Sequence, residues 1–230
     1  MKKIKIILAV SLALMTMSAC SLSSILNPDE STIIKKIVGT WYVSLINSSV
    51  CPSNEMEVSV FNDGSTGKWC HIENGQWVET VFTYKVTGQY VTQMFPNGET
   101  KKLRVASIGN NTMLVKDDEN GFSWNLLKIS HNYNQKIVGT WKRTTMPLNE
   151  PNTLNDVYTL NADGTYSMRR AATGITVQGS WKAYGCVLYL SEETYLTRTM
   201  TSATRYDKNM SWQTVTADHQ PSACAMKRIY

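Results

Sequence analysis

The chain has 230 residues, 42% of them hydrophobic, and carries a formal charge of +5. Three of its basic residues, Lys2, Lys3 and Lys5, lie in a leader that we expect to be removed, which takes Lys+Arg from 23 to 20 against 18 Asp+Glu. The remaining charge of about +2 includes no Lys/Arg run of the kind that binds nucleic acid. Composition and charge therefore argue against a nucleic-acid partner.

The N-terminal residues have the pattern of a secretory signal peptide. The three lysines precede an apolar stretch from Ile6 to Met17, which ends in the small residues Ser18 and Ala19. The stretch is too short for a transmembrane span, which needs ~20 residues. We expect residues 1–19 to be the signal peptide.

The residues at its end, Met17-Ser18-Ala19-Cys20, resemble the lipobox of bacterial lipoproteins. The resemblance implies that Cys20 is acylated, becomes the first residue of the mature protein and anchors it to a membrane. Several acyl chains on one cysteine give durable attachment, because each buried CH₂ contributes about 0.8 kcal/mol. By the sorting rules of these lipoproteins, Ser21 favours the outer membrane, with the periplasmic and surface leaflets both open. The alternative is ordinary cleavage after Ala19 beside a chance cysteine.

A short tether and one helical turn follow the anchor, over residues 20–34. Asp29 is placed to cap a short helix over Asp29–Ile37, and Gly39 to end it.

The stretch Lys35–Trp41 recurs as Gln135–Trp141 with only its first residue changed. The spans that follow are equal in length and end in Lys128-Ile129 and Arg228-Ile229. A long fixed period indicates repeated structural units. We therefore predict two domains, residues 35–129 and 135–230, joined by a linker at 130–134.

Within each copy the apolar residues alternate over short runs bounded by turn residues, which is typical of β-strands. Asp63-Gly64 and Asp163-Gly164 mark equivalent hairpins. The predicted strands lie near residues 40–46, 56–61, 67–72, 76–86, 90–95, 100–108, 112–116 and 122–129, then 140–145, 157–160, 165–170, 176–182, 187–190, 196–206, 210–216 and 223–229. Consecutive strands with tight turns favour a meander closed into a barrel.

The Gly-x-Trp stretches Gly39–Trp41 and Gly139–Trp141 resemble the signature of the lipocalins and of lipocalin-like domains in envelope lipoproteins of Bacteroidetes. The resemblance implies an all-β fold of two tandem, small, antiparallel up-and-down barrels. It also implies that a basic residue of the last strand lies across each tryptophan, so we expect Lys128 over Trp41 and Arg228 over Trp141, as cation–π contacts of roughly 0.5–2 kcal/mol.

Cys51 and Cys70 lie in the first repeat, and Cys186 and Cys224 in the second. In an oxidising compartment this distribution predicts one disulfide within each repeat, Cys51–Cys70 and Cys186–Cys224. Free buried thiols are the alternative.

An eight-stranded barrel is either filled by its own side chains or holds one small ligand. The first repeat is rich in large aromatic residues, which favours a filled interior. The second has more Ala and Gly, and we expect any open pocket there. Trp69, Trp77 and Trp212 are candidate surface aromatics, expected to be partly buried beside a neighbouring strand or loop.

Catalytic signatures are missing from the sequence. His71, His131 and His219 belong to no Ser/His/Asp or Cys/His arrangement, and neither a cofactor motif nor metal-ligand spacing occurs. We therefore expect a non-enzyme without a cofactor or metal. The favoured function is a lipid-anchored binding module for a protein or glycan partner. The alternatives are a carrier of a small apolar molecule and an inhibitor of a secreted enzyme.

Overall fold

The computed structural model describes residues 26–130, 136–146, 150–193, 196–203 and 209–229. Helix α1 (Glu30–Ile37) begins after Asp29, whose carboxylate accepts a hydrogen bond from the Thr32 amide at 2.8 Å. The predicted helix and its cap are therefore confirmed. Within the described ranges, no helix is long and apolar enough to cross a bilayer. The signal peptide, Cys20 and the linker residues from 131 onward lie outside the described residues.

The first repeat forms a nine-stranded antiparallel sheet that closes on itself. Its strands are β1 (Gly39–Ile46), β2 (Ser49–Val50), β3 (Val58–Phe61), β4 (Thr66–Glu73), β5 (Gln76–Thr87), β6 (Tyr90–Met94), β7 (Thr100–Ile108), β8 (Thr112–Lys116) and β9 (Ser123–Lys128). Strand β2 pairs only with the end of β1, so the barrel wall has eight strands. The wall closes where β1 pairs with β9, from Trp41 opposite Lys128 to Ile46 opposite Trp124.

The second repeat forms a closed barrel of eight antiparallel strands, each paired with its neighbours in the chain. These are β10 (Gly139–Arg143), β11 (Val157–Leu160), β12 (Thr165–Arg169), β13 (Thr176–Tyr184), β14 (Val187–Leu190), β15 (Thr197–Ala203), β16 (Asn209–Val215) and β17 (Pro221–Arg228). Strands β10 and β17 close the barrel, with Trp141 opposite Arg228. The chain is thus all-β with two tandem antiparallel up-and-down barrels, which confirms the predicted fold class.

Each barrel buries the alternate residues that the sequence pattern assigns to its interior. On β5, Phe82, Tyr84 and Val86 are buried, whereas Thr83 and Lys85 between them are exposed. This alternation follows from the pleat of a strand, which directs successive side chains to opposite faces. Helix α1 covers the end of the first barrel where β1 begins, and there Ile33 and Ile37 join the barrel core.

The barrel end that carries the Gly-x-Trp signature has the same structure in both repeats. Trp41 Nε1 donates to the Ile37 carbonyl at 2.7 Å, and Trp141 Nε1 donates to the Ile137 carbonyl at 2.6 Å. Both tryptophans are almost fully buried. The sequence repeat therefore encodes one closing arrangement that is used twice.

Candidate functional site

A basic side chain crosses each signature tryptophan, as the sequence predicts. Lys128 Nζ lies 5.1 Å from the centroid of the Trp41 ring, and Arg228 Cζ lies 4.4 Å from that of Trp141. Gly39 has φ of +138°, and a Cβ there would lie 2.4 Å from Lys128 Cε. Glycine is required because it both adopts this backbone conformation and leaves room for the lysine. These residues hold the barrel ends closed and offer no open site.

The other end of the first barrel is closed by a lysine that sequence reasoning did not identify. Lys101 Nζ lies 5.3 Å from the Trp69 centroid and 5.0 Å from the Trp124 centroid. The other contacts of Trp69 fix its ring, because Nε1 donates to Glu57 at 2.9 Å and the His71 ring stacks on it at 3.8 Å. The Lys101 ammonium therefore lies between two indole rings and fills this end of the barrel interior as a plug.

The cavity beside Lys101 in the interior of this barrel is small. The cavity lined by the inward side chains around the plug has a volume of about 40 Å³. That volume accommodates one or two waters, whereas ligand pockets usually occupy about 300–1,000 Å³. The predicted filled interior of the first barrel agrees with this geometry.

The second barrel contains a buried ion pair. Arg143 is fully buried, and its guanidinium donates to Glu150 at 2.6 Å and to the Tyr158 hydroxyl at 3.0 Å. Thr214 donates to the other carboxylate oxygen of Glu150 at 3.1 Å. Burial alone would lower the pKa of Arg143, but electrostatic interactions with Tyr158, Cys224 and Glu150 outweigh burial and raise it. The guanidinium therefore stays charged within the barrel.

Large side chains surround this ion pair. Those that are at most 9% exposed and belong to the barrel core include Trp141, Tyr158, Leu160, Tyr166, Met168, Trp181, Leu188, Leu190, Met200, Met210, Trp212 and Met226. Trp212 lies in this core and not at the surface. The expectation that any open pocket lies in the second barrel stays a prediction, and this packing weighs against it.

The two barrels contact each other through an aromatic cluster. Trp77 points out of the first barrel, as strand parity predicts, and stacks on Tyr184 at 5.6 Å and beside Tyr189 at 5.7 Å between ring centroids. The Tyr189 hydroxyl donates to the Gly75 carbonyl at 3.4 Å. Trp77 is consequently buried by the second barrel and is not available as a surface platform.

A charged network lies beside the aromatic cluster. Glu79 on the first barrel accepts hydrogen bonds from Lys68 at 2.8 Å and from Lys182 of the second barrel at 3.2 Å. The Tyr184 hydroxyl also bonds to Glu79. Burial would raise the pKa of Glu79, but these three donors outweigh burial and hold the pKa at about 2. Glu79 is therefore ionised at neutral pH and links the barrels.

A 3₁₀ turn at Ser53–Glu55, between β2 and β3, supplies further contacts between the barrels. The Val215 amide donates to Ser53 Oγ at 2.8 Å, and Thr197 Oγ1 donates to the Ser53 carbonyl. His219 Nδ1 lies 2.7 Å from the Val50 carbonyl oxygen. His219 thus has a structural contact between the barrels.

Strand β14 shows how closely the barrels pack. All four of its residues are buried: Leu188 and Leu190 belong to the core of the second barrel, whereas Val187 and Tyr189 belong to the core cluster of the first. The sequence of a strand that is covered on both faces is a continuous apolar run, without alternating polar residues. The docking therefore buries apolar surface on both sides and is not a chain of isolated polar contacts.

The predicted disulfides are not formed, because all four cysteines are free thiols. The Cys51 thiol contacts the Glu55 carbonyl at 3.5 Å, and Cys70 lies by Tyr184 on the outer face of β4. Cys224 lies opposite Trp212 inside the second barrel, whereas Cys186, beside the β13–β14 turn, packs against the cores of both barrels. The four thiols pack as apolar groups in the barrel cores, and the structure does not show the predicted disulfide within either repeat.

An open cleft lies on the outside of the first barrel, where β5 and β6 separate. Its volume is about 510 Å³, and its walls include Lys68, Val81, Phe82, Met94 and Phe95. Val81 is 58% exposed and Met94 39% exposed. This cleft has the volume and the mixed apolar and polar lining of a binding site.

Within the described ranges, no group of three or more His, Cys, Asp or Glu residues is placed to hold a metal ion. His131 lies outside the described residues.

Known protein structures offer distant likenesses. A lipocalin-like protein from Bacteroides uniformis matches with a TM-score of 0.32 and 9% identity, over 40% of this chain and 98% of that one. An uncharacterized protein from Bacteroides eggerthii matches with a TM-score of 0.31 and 9% identity, over the same shares. A DUF3598-family protein of unknown function from Nostoc punctiforme has a TM-score of 0.24 and 9% identity, over 85% of this chain and 97% of that one. Neither a protein-family profile nor a curated protein matches the chain.

Proposed function

We propose that the chain is a lipid-anchored envelope lipoprotein that acts as a non-catalytic binding module for a protein or glycan partner. The observation that carries this proposal is the small volume, about 40 Å³, of the cavity around Lys101 inside the first barrel. A barrel filled by its own side chains cannot enclose a ligand, so recognition falls to the outer surface. The 510 Å³ outer cleft is the surface feature best suited to it.

The anchor rests on the N-terminal sequence. A lysine-rich start, an apolar stretch and a small-residue site followed by Cys20 occur in the order that lipoprotein processing requires. Acylated Cys20 followed by Ser21 would hold the module at the outer membrane. The barrels would then stand on a short tether close to their partners.

The carrier alternative receives less support from the geometry than the binding module. Lys101 occupies the mouth of the first barrel, and the Tyr158 and Trp212 rings lie against Arg143 in the second. A carrier would need these side chains to leave the interior as its ligand entered.

The inhibitor alternative is favoured by one observation, the docking of the barrels. Covering an enzyme cleft needs two units held in a fixed relation, and the contacts of Trp77 and Glu79 with the second barrel supply such a relation. We keep this function second, since it is one form of binding to a protein partner.

Photo-crosslinking in the cell envelope tests the proposal. Full-length chains would carry a photoreactive residue at exposed positions, one each at Val81, Phe122 and Ile175, and glycan retention would be measured in parallel. We expect a discrete protein adduct from at least one position, or specific glycan retention. Their joint absence, together with a small molecule that copurifies and is released on denaturation, would contradict the proposal and favour the carrier.

A further inference from the structure

Strand β5 has an unpaired edge. It pairs with β4 along Gln76–Phe82 and beyond, but with β6 only over Thr83–Thr87. Among the residues that the structure describes, no strand pairs with β5 on the β6 side between Trp77 and Phe82. At the start of this stretch the Trp77 backbone bonds to Tyr189 of the second barrel. The wall of the first barrel is therefore open only from Glu79 to Phe82.

The hydrogen-bond pattern identifies which groups face the opening. The Tyr84 amide donates to the Ser65 carbonyl at 2.8 Å, which makes these two residues a hydrogen-bonded pair. In an antiparallel ladder such pairs alternate, so the even-numbered residues of β5 bond to β4. The N–H and C=O groups of Glu79 and Val81 therefore point to the open side.

The end of β6 explains why the barrel's own chain leaves this edge vacant. After Met94, which pairs with Thr83, the Phe95 amide donates to the Glu99 carbonyl at 2.9 Å and the chain turns back into β7. Pro96 has no N–H to offer to a neighbouring strand. Strand β6 thus ends opposite the middle of β5.

The outer cleft lies at this edge. Three consecutive residues of β5, Val81, Phe82 and Thr83, line it together with Met94 and Phe95. Because successive side chains of a strand point to opposite faces, a cleft lined by three residues in a row fits the open edge of the strand. The Phe82 and Phe95 rings meet edge-to-face at 5.8 Å and fill the inner side of the opening with apolar surface.

We propose that an extended segment of a partner polypeptide adds to β5 at Glu79 and Val81 and places an apolar side chain in the cleft between Val81 and Met94. This inference rests on the proposed binding function and specifies its partner. The edge presents donors and acceptors at the two-residue repeat of a strand, roughly 6.8 Å, which the backbone of an extended peptide matches. Exposed Val81 and Met94 supply the apolar surface for an alternate side chain.

A backbone-recognition probe tests this directly. The chain from Ser21 to Tyr230 would be titrated with acetyl-Thr-Val-Thr-Val-Thr-amide and with a twin methylated at every amide nitrogen. Hydrogen exchange at the Glu79 and Val81 amides would be followed by NMR. We expect saturating peptide to slow exchange at both amides at least tenfold, and the methylated twin to leave both rates unchanged.

Two variants at one position separate backbone from side-chain recognition. Val81→Pro removes the N–H that faces the opening and leaves the bonds between β5 and β4, since proline is tolerated where the lost N–H is not used in the sheet. Val81→Thr keeps that N–H. We expect Val81→Pro to raise the peptide dissociation constant at least tenfold and Val81→Thr to change it less than threefold. If Val81→Pro fails to fold, the comparison of the peptide with its methylated twin still shows whether the backbone is recognised.

Three results would overturn the inference. Unchanged amide exchange at millimolar peptide would show that the edge does not accept a strand. Equal binding of the methylated twin would show that only the apolar cleft is used. Protection that grows with protein concentration without peptide would assign the edge to a second copy of the chain. The proposed function would survive any of these if crosslinking from Phe122 or Ile175 still captured a partner, so the two failures are distinguishable.

Discussion

Glu79 of the first barrel accepts a hydrogen bond from Lys182 of the second at 3.2 Å, although the two residues are 103 positions apart in the chain. The same carboxylate binds Lys68 at 2.8 Å and the Tyr184 hydroxyl. This bridge lies next to the stacked rings of Trp77 and Tyr184. Docking of the barrels thus combines an apolar contact with a directional charged one.

Replacing the bridging carboxylate should weaken the docking. Glu79→Gln removes the charge from three hydrogen bonds, and we expect a loss of about 1–2 kcal/mol in the free energy of unfolding, measured with urea. The exposed Glu119→Gln is the matched control and should change stability by less than about 0.5 kcal/mol. Equal stability of the two variants would show that the bridge does not contribute.

The same carboxylate predicts sensitivity to acid. Its pKa is lowered to about 2 in the folded chain from an ordinary value of 4.5, so its stabilisation is present above pH 4.5 and is lost as the pH falls towards 2. Between these pH values, the stability of the original chain should fall more steeply than that of Glu79→Gln. If the stabilities of the two proteins fell equally between pH 4.5 and 2, Glu79 would not be the group responsible.

Alkaline pH should also destabilise the chain. Burial raises the pKa of the Cys51 thiol from 9.0 to about 12 and that of Tyr42 from 10.0 to about 12, with smaller contributions from nearby negative charges. A raised pKa gives stability that is present below the unfolded value and is lost as the pH rises through the folded one. The free energy of unfolding should therefore fall between pH 9 and 12. Cys51→Ala should reduce this slope, and an unchanged slope would contradict the role of the thiol.

The ion pair inside the second barrel should be sensitive to loss of either partner. Arg143→Met removes the cation that faces the buried Glu150 carboxylate, and we expect a loss of about 3–5 kcal/mol in the free energy of unfolding. The double variant Arg143→Met/Glu150→Gln should recover part of this loss, because it leaves no buried charge without a counter-ion. Additive losses in the double-mutant cycle would show that the two side chains do not stabilise each other.

The proposed lipid anchor predicts that membrane attachment depends on the sulfur atom of Cys20. Cys20→Ser removes the thiol that would accept the acyl chains, so the protein should fail to incorporate labelled palmitate and should move from the membrane to the soluble fraction. Cys51→Ser is the control and should remain membrane-bound. Palmitate incorporation by Cys20→Ser would contradict the lipoprotein assignment.

The strands and the barrel ends were predictable because their signals are local. Alternation places Phe82 and Tyr84 inside, and the repeated Gly-x-Trp with a basic residue near the end of each copy fixes Lys128 and Arg228. The docking of the barrels was not predicted, since it depends on outward-facing residues distant in sequence. Its one sequence signal was the unbroken apolar run Val187–Leu190, which alternation cannot explain.

Two interior cations were missed for a related reason, because charged residues are usually assigned to the surface. Arg143 follows inward-facing Trp141 by two positions, and Lys101 precedes inward-facing Leu103 and Val105 at the same spacing. Strand parity therefore placed both side chains inside. Their partners, Glu150 for the one and Trp69 and Trp124 for the other, come from other parts of each repeat and could not be read from spacing.

The central claim is that the barrels are filled and bind through their outer surfaces. Native mass spectrometry of the Ser21–Tyr230 chain, exported to a periplasm and purified gently, tests it most directly when compared with the same sample denatured. The account predicts one mass, that of the chain alone, before and after denaturation. A reproducible extra mass that denaturation releases and that belongs to a small apolar molecule would contradict it and assign the chain to the carriers.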